Sequence, residues 1–340
     1  MKNKIWYFLL AALVLSACSK DSDGGDDVRG DLLNLTAVTR TPSEAIVNAG
    51  EDHSPIQIYL MSGLQKTEGN FVYSDGWSST IGVKEANNFI YGFSPATAAA
   101  GAISPLTGDA TDYSAGAKLT LNNLETVGAD DICVVVGVKN SSIPNDTPDF
   151  GVFGFNRNAG NNNVCLLLDH LYAAIDFKIR IGDKYNELRD IYLKTMELKS
   201  SISISQAVVT LTANTTGTNP MTITYTQDET TSQTNVLYDY GTDPKTTTGL
   251  KLTKEGTAFI SYCAPLAGID EKLTLVCTYD VYNKKGTRVR ENCTAENSFS
   301  GIKGLTMERR KKNTVTLTVE PSYLHQLSED ELDNPTVKFN

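Results

Sequence analysis

Along most of the chain apolar and polar residues alternate one by one. Ile175, Phe177, Ile179 and Ile181 alternate with Asp176, Lys178 and Arg180; Met221, Ile223 and Tyr225 with Thr222, Thr224 and Thr226; Val315, Leu317 and Val319 with Thr314, Thr316 and Thr318. A period of two puts successive side chains on opposite faces of an extended backbone, so each run predicts a strand with one covered and one wet face. The pattern is weaker at Ile56, Ile58 and Leu60, at Leu119 and Leu121, and at Ile202 and Ile204. Residues 132–138 are apolar almost throughout and predict a central strand covered on both faces. Turn-forming clusters separate the runs: Gly69-Asn70, Asp75-Gly76, Asn122-Asn123, and residues 156–163, 214–220 and 283–286. Past the N-terminus no segment of about a dozen residues keeps a helical period of roughly 3.6. Many short strands without recurring helices predict an all-β protein built of antiparallel sandwiches.

The 340 residues suffice for two domains of ordinary size. The asparagine-rich run 156–163 has little to bury and marks a boundary near residue 165, dividing the body into residues 31–165 and 166–340. Ahead of the body, Lys2 and Lys4 precede an apolar run that ends in small residues, a secretory signal over residues 1–17. The run is shorter than the ~20 residues a membrane-crossing helix needs. Leu15-Ser16-Ala17-Cys18 has the form of a bacterial lipobox, cleaved before Cys18, whose thiol then carries a diacylglycerol. The alternative is a plain secretory signal followed by a coincidental cysteine. Residues 18–30 form an acidic tether; Asp21, Asp23, Asp26 and Asp27 lack the spacing and closing Glu of a calcium loop. An acidic run just after a lipidated cysteine also resembles the surface-export signal of lipoproteins in some Gram-negative anaerobes. The expected location is the cell outer membrane, facing outward and held by lipid.

The formal charge is −10, and loss of Lys2 and Lys4 with the signal makes it −12, which disfavours nucleic acid as a partner. Three histidines, His53, His170 and His325, are scattered too widely to suggest a ligand pair, and no hydrolase, phosphate-loop or dinucleotide motif occurs. The expectation is no enzyme, no metal, and no cofactor beyond the lipid on Cys18. With Cys18 lipidated, Cys133, Cys165, Cys263, Cys277 and Cys293 remain. Hairpins centred near residues 270 and 285 would place Cys263, Cys277 and Cys293 side by side on a core face, either as buried thiols or with a Cys263–Cys277 disulfide. Trp77 either stacks on a sugar or packs as an ordinary core aromatic.

Several segments together carry a family likeness. They are the lipobox, the apolar strand ending in Thr39-Arg40-Thr41, the aromatic strand at residues 88–95, the central run 131–138, and the segments 168–180 and 312–328. In order and spacing they resemble the fimbrillin family, pilus subunits of Gram-negative anaerobes. The resemblance implies two transthyretin-like antiparallel β-sandwich domains. It also implies transport as a lipoprotein, and cleavage at an arginine by a trypsin-like surface protease that removes the first strand with its lipid.

In this chain Leu33, Leu35 and Ala37 alternate with Asn34 and Thr36, so residues 31–40 can pair with a sheet edge as a plug. Cleavage after Arg40 would free that strand, whereas Arg29 lies before it. The edge left behind would accept a strand of the next subunit. Val337 and Phe339, alternating with Lys338, make the C-terminus a candidate donor strand or else a loose end. The implied partners are other fimbrial subunits by strand exchange, the outer membrane through the lipid, and a host protein or glycan. If Arg40 stays uncut, the protein remains a tethered anchor, tip or accessory subunit. The competing function is a lipid-anchored glycan-binding protein using Trp77 and loop tyrosines.

Overall fold

The computed structural model describes residues 32–40, 46–48, 54–74, 76–97, 99–128, 130–141, 148–157, 162–241, 248–302, 305–321 and 335–339, with backbone alone for 34–40, 46–48 and 338. The alternating runs become four sheets. The first contains β1 (Leu33–Arg40), β2 (Ile46–Asn48), β3 (Ile56–Ser62), β4 (Gln65–Tyr73), β5 (Trp77–Ser78), β6 (Asn87–Ser94), β10 (Cys133–Asn140), β11 (Gly154–Asn156) and β12 (Asn162–His170). Its order is β2-β1-β12-β10-β6-β3-β4-β5, with β11 beside β6. The second sheet holds β7 (Ala100–Pro105), β8 (Gly116–Asn122), β15 (Ser203–Thr212) and β16 (Met221–Asp228), in the order β16-β15-β8-β7.

The third sheet runs β23-β22-β13-β19-β9, from β23 (Thr336–Phe339), β22 (Lys312–Glu320), β13 (Ala173–Ile181), β19 (Thr257–Cys263) and β9 (Val127–Gly128). The fourth runs β17-β14-β20-β21, from β17 (Gln233–Asp239), β14 (Arg189–Ser200), β20 (Leu273–Asn283) and β21 (Arg288–Ser298), with β18 (Leu250–Lys251) beside β14. Among the described residues all strand pairs are antiparallel except β1 with β12 and β13 with β22. A single turn of α-helix, α1 (Tyr185–Leu188), precedes β14.

The fold is an all-β sandwich architecture whose main core joins residues from all four sheets, among them Tyr59, Leu119, Phe177 and Leu193. In β13 the even spacing works as expected: Ile175, Phe177, Ile179 and Ile181 are fully buried, and the polar residues between them are not. The first sheet is covered on both faces. Tyr59 and Met61 of β3 join the main core, while Ile56, Ile58 and Leu60 join a smaller cluster with Phe71, Ile81, Val135 and Leu166. That sheet rolls on itself. Leu32 bridges Gly82, and the Leu33 N–H donates to the Ile81 carbonyl oxygen at 2.9 Å, so the two ends of the sheet meet around the smaller cluster.

The described strands place four of the expected features. The boundary near residue 165 falls inside β12, whose first residue, Asn162, is buried. Strands from both sides of that point share sheets: β15 pairs with β8, and β9 with β19. The reason is that Ala207, Val209 and Leu211 bury on the same face as Leu119 and Leu121, across a continuous ladder. The hairpin turn between β3 and β4 is Gly63-Leu64, flanked by the Ser62–Gln65 pair. Gly69 instead lies within β4, where a Cβ would come 2.9 Å from Ile81 Cδ1, so its lack of a side chain admits Ile81 to the core.

Cys263 and Cys277 are not hairpin partners. Cys263 pairs with Ala173 in the third sheet and Cys277 with Met196 in the fourth, because residues 264–272, including the 3₁₀ turn Ile269–Lys272, carry the chain from one sheet to the other. Cys293 does stand near Cys277, opposite Tyr279 across β20 and β21. Cys263 and Cys277 are buried free thiols, not joined by a disulfide. The alternation near the C-terminus forms the strand β23, Thr336–Phe339.

Candidate functional site

β1 is the first described strand and runs parallel to β12, with Leu33 opposite Asn162 and Thr39 opposite Leu168. On its other side, among the described residues, only the three of β2 pair with it, through Val38, Thr39 and Arg40. A parallel partner reaches its neighbour through a long connection, so β1 is held to β12 by its ladder and packing and not by a hairpin. Leu33 is 1% exposed and belongs to the smaller core cluster along with Val164, Leu166 and Leu168 of β12. Burial of a leucine contributes about 1.5–3 kcal/mol, and each ladder hydrogen bond about 0.5–1.5 kcal/mol net. Taking β1 away would uncover seven paired positions of β12 and the apolar side chains beside them.

Leu35 and Ala37 occupy alternate register positions of this strand, opposite Val164 and Leu166. Arg40 is its last residue, paired with Ile46 of β2. The expected processing point therefore sits where β1 ends. Cys18 and the acidic tether lie outside the described residues, as do His53 and His325. Among the described residues no helix is long and apolar enough to cross a membrane.

The candidate donor segment is paired in its own sheet. β23 lies antiparallel to β22, with Val337 opposite Val319 and Phe339 opposite Leu317. Val337 is buried; Phe339 meets Phe299 edge-on, with ring centroids 5.3 Å apart. The Tyr279 hydroxyl donates to the Pro335 carbonyl oxygen at 2.7 Å, and Asn297 Nδ2 to that of Val337 at 3.0 Å. The alternation noticed in the sequence thus closes the edge of the third sheet. With four residues, β23 is shorter than the seven-position ladder on β12.

Trp77 packs against the smaller core cluster, and its ring meets Tyr73 edge-on at 5.5 Å, which is the ordinary aromatic packing weighed against a sugar platform. A polar cleft of about 490 Å³ lies at the start of β10, lined by Thr97, Asn123, Glu125, Asp130, Ile132 and Tyr172. The Tyr172 hydroxyl donates to the Glu125 carbonyl oxygen at 2.7 Å, and burial pushes its pKa up.

No family model matches this sequence, and no curated protein matches it. Among solved structures the chain is similar to a protein named as a cell adhesion protein from Bacteroides fragilis, with 10% identity over 91% of this chain and 97% of that one and a TM-score of 0.47. It is similar to another named as a cell adhesion protein, from Bacteroides uniformis, with 13% identity over 92% and 96% and a TM-score of 0.42. A fimbrial protein from Bacteroides vulgatus matches with 13% identity over 90% and 98% and a TM-score of 0.38.

Proposed function

We propose that this protein is a surface subunit of an adhesive fimbria, delivered as a lipoprotein through Cys18 and activated for assembly when cleavage after Arg40 releases β1. The observation that carries this reading is the placement of β1: an N-terminal strand, parallel to β12, ending at the arginine and flanked outward by three residues. Its departure turns β12 into an open edge with apolar side chains beside it, which is the chemistry that a strand from another subunit satisfies. The incoming strand would offer apolar residues at alternate positions to replace Leu33, Leu35 and Ala37. Before cleavage the lipid holds the chain at the outer membrane; afterwards the body is free to join a fibre. Its own β23 stays in cis as an edge closer, and the donor strand comes from a partner.

The test compares chains beginning at Ser19 and at Thr41. The longer should remain monomeric in size-exclusion chromatography with light scattering. The shorter should bind a synthetic peptide of residues 31–40, or form head-to-tail oligomers. Two inert monomers would end the strand-exchange reading.

A further inference from the structure

We propose that Asp131, Cys133 and His170 form a binding site for a thiophilic divalent cation of the zinc class, placed at the end of the β10–β12 ladder. The site arises from register. Cys133 and His170 face each other directly across the antiparallel pair, and Asp131 lies two residues before Cys133, on the same side of an extended backbone. Residues far apart in sequence thereby present three different ligand atoms to one point.

The distances fit. Asp131 Oδ2 is 2.7 Å from His170 Nδ1, Cys133 Sγ is 3.3 Å from the same nitrogen, and all three atoms lie within 4.8 Å of one another. Donors held at zinc bond lengths and tetrahedral angles stand roughly 3.4–3.7 Å apart, so closing around an ion needs side-chain shifts below about 1 Å. Among the described residues, the second Asp131 oxygen, Oδ1, is enclosed and has no hydrogen-bond partner. An enclosed carboxylate oxygen without a partner is costly, and a cation beside that carboxylate offsets the cost. The site is reachable, since the His170 and Asp131 side chains keep 15% and 23% of their exposure. It is also braced: Arg309 Nη1 donates to the His170 carbonyl oxygen at 3.2 Å and to Asp169 Oδ2 at 2.7 Å.

The donor set selects the ion. One sulfur, one imidazole and one carboxylate suit zinc and its borderline neighbours, whereas calcium and magnesium require oxygens. The same geometry argues against a Cys–His–Asp nucleophile. In such a relay the carboxylate and the nucleophile use opposite ring nitrogens, and here both approach Nδ1. On binding, the Cys133 S–H bond breaks, the sulfur–metal bond forms and the thiol proton passes to the buffer, while the imidazole carries its hydrogen on Nε2. A thiolate and a carboxylate then balance the two charges of the ion, and three protein ligands leave one coordination position for water.

The experiment titrates the chelator-treated chain from Ser19 with Co²⁺ and Zn²⁺. We expect one Co²⁺ per chain with a near-ultraviolet sulfur-to-cobalt charge-transfer band, displaced by one equivalent of Zn²⁺. Cys133→Ser should abolish the band. His170→Gln and Asp131→Asn, which keep side-chain volume, should weaken Zn²⁺ binding by at least about 10-fold and remove the zinc-induced rise in melting temperature, with the circular dichroism of the metal-free protein unchanged. Absence of the charge-transfer band, or Zn²⁺ affinity within about threefold of the parent in both conservative variants, would overturn the proposal.

Discussion

The backbone N–H of Leu33 donates to the carbonyl oxygen of Ile81 at 2.9 Å, tying the start of β1 to the segment that follows β5. The same leucine buries its side chain in the cluster inside the roll. β1 is therefore held by its parallel ladder to β12, by its short pairing with β2 and by this clasp at its start.

Shortening the clasp residue should loosen the strand without altering the ladder. Leu33→Ala should cost about 2–5 kcal/mol, the usual range for a buried leucine. It should also raise the rate of tryptic cleavage at Arg40, because cleavage there requires local opening. Urea denaturation and timed proteolysis with mass spectrometry measure the two effects. A variant that loses stability yet is cut at the parental rate would show that Leu33 does not hold the strand in place.

The C-terminal strand offers a separate handle. Removing residues 335–340 deletes Val337 from the core and the bonds from Tyr279 and Asn297, and should lower stability by about 2–4 kcal/mol. Capture of a residue 31–40 peptide by the chain from Thr41 should be unaffected, because β23 and β12 belong to different sheets. Loss of peptide capture on truncation would assign β23 a part in the acceptor groove.

What the sequence made legible was the strand period. Residues 175–181 became β13 with every second side chain buried, the apolar run 132–138 became β10 covered on both faces, and the cluster at 283–286 became the β20–β21 turn. A period of two does not name a strand's partner. Hence β15 beside β8, the crossing of the chain through residues 264–272, and the position of His170 opposite Cys133 were invisible along the chain. Gly69 looked like a turn because its reason, the approach of Ile81, is tertiary. The Asp131–Cys133 spacing did carry a local signal, two ligand types on one strand face, but its third member comes from a strand 37 positions on.

Asp169, on β12, is fully buried, and its Oδ2 accepts from Arg309 Nη1 at 2.7 Å; Arg310 Nε lies 3.7 Å from Oδ1. This ion pair fastens the segment before β22 to the end of β12. Asp169→Ala strands the half-buried Arg309 guanidinium and should cost about 3–5 kcal/mol. Replacing both partners, Asp169→Leu with Arg309→Met, should recover much of that loss, since breaking a buried pair costs more than removing it. A double-mutant cycle by urea denaturation gives the coupling, and a value below about 0.5 kcal/mol would show that the two residues act independently.

The thiols of Cys263 and Cys277 are buried, and burial pushes the pKa of each up to about 12. In the unfolded chain a cysteine titrates near 8.5. Below about pH 8.5 both states hold the proton and the thiols add no pH dependence. Above it the unfolded chain releases protons that the folded chain keeps, so stability falls as pH rises toward the folded value, by about 1 kcal/mol per pH unit for each thiol. Urea midpoints measured between pH 8.5 and 10, below the range where buried Tyr91, Tyr172, Tyr225 and Tyr279 add the same trend, should therefore decline steadily. In the Cys263→Ala, Cys277→Ala double variant that slope should flatten, since both residues that bind the differing protons are gone. An undiminished slope in the double variant would place the alkaline sensitivity in other groups.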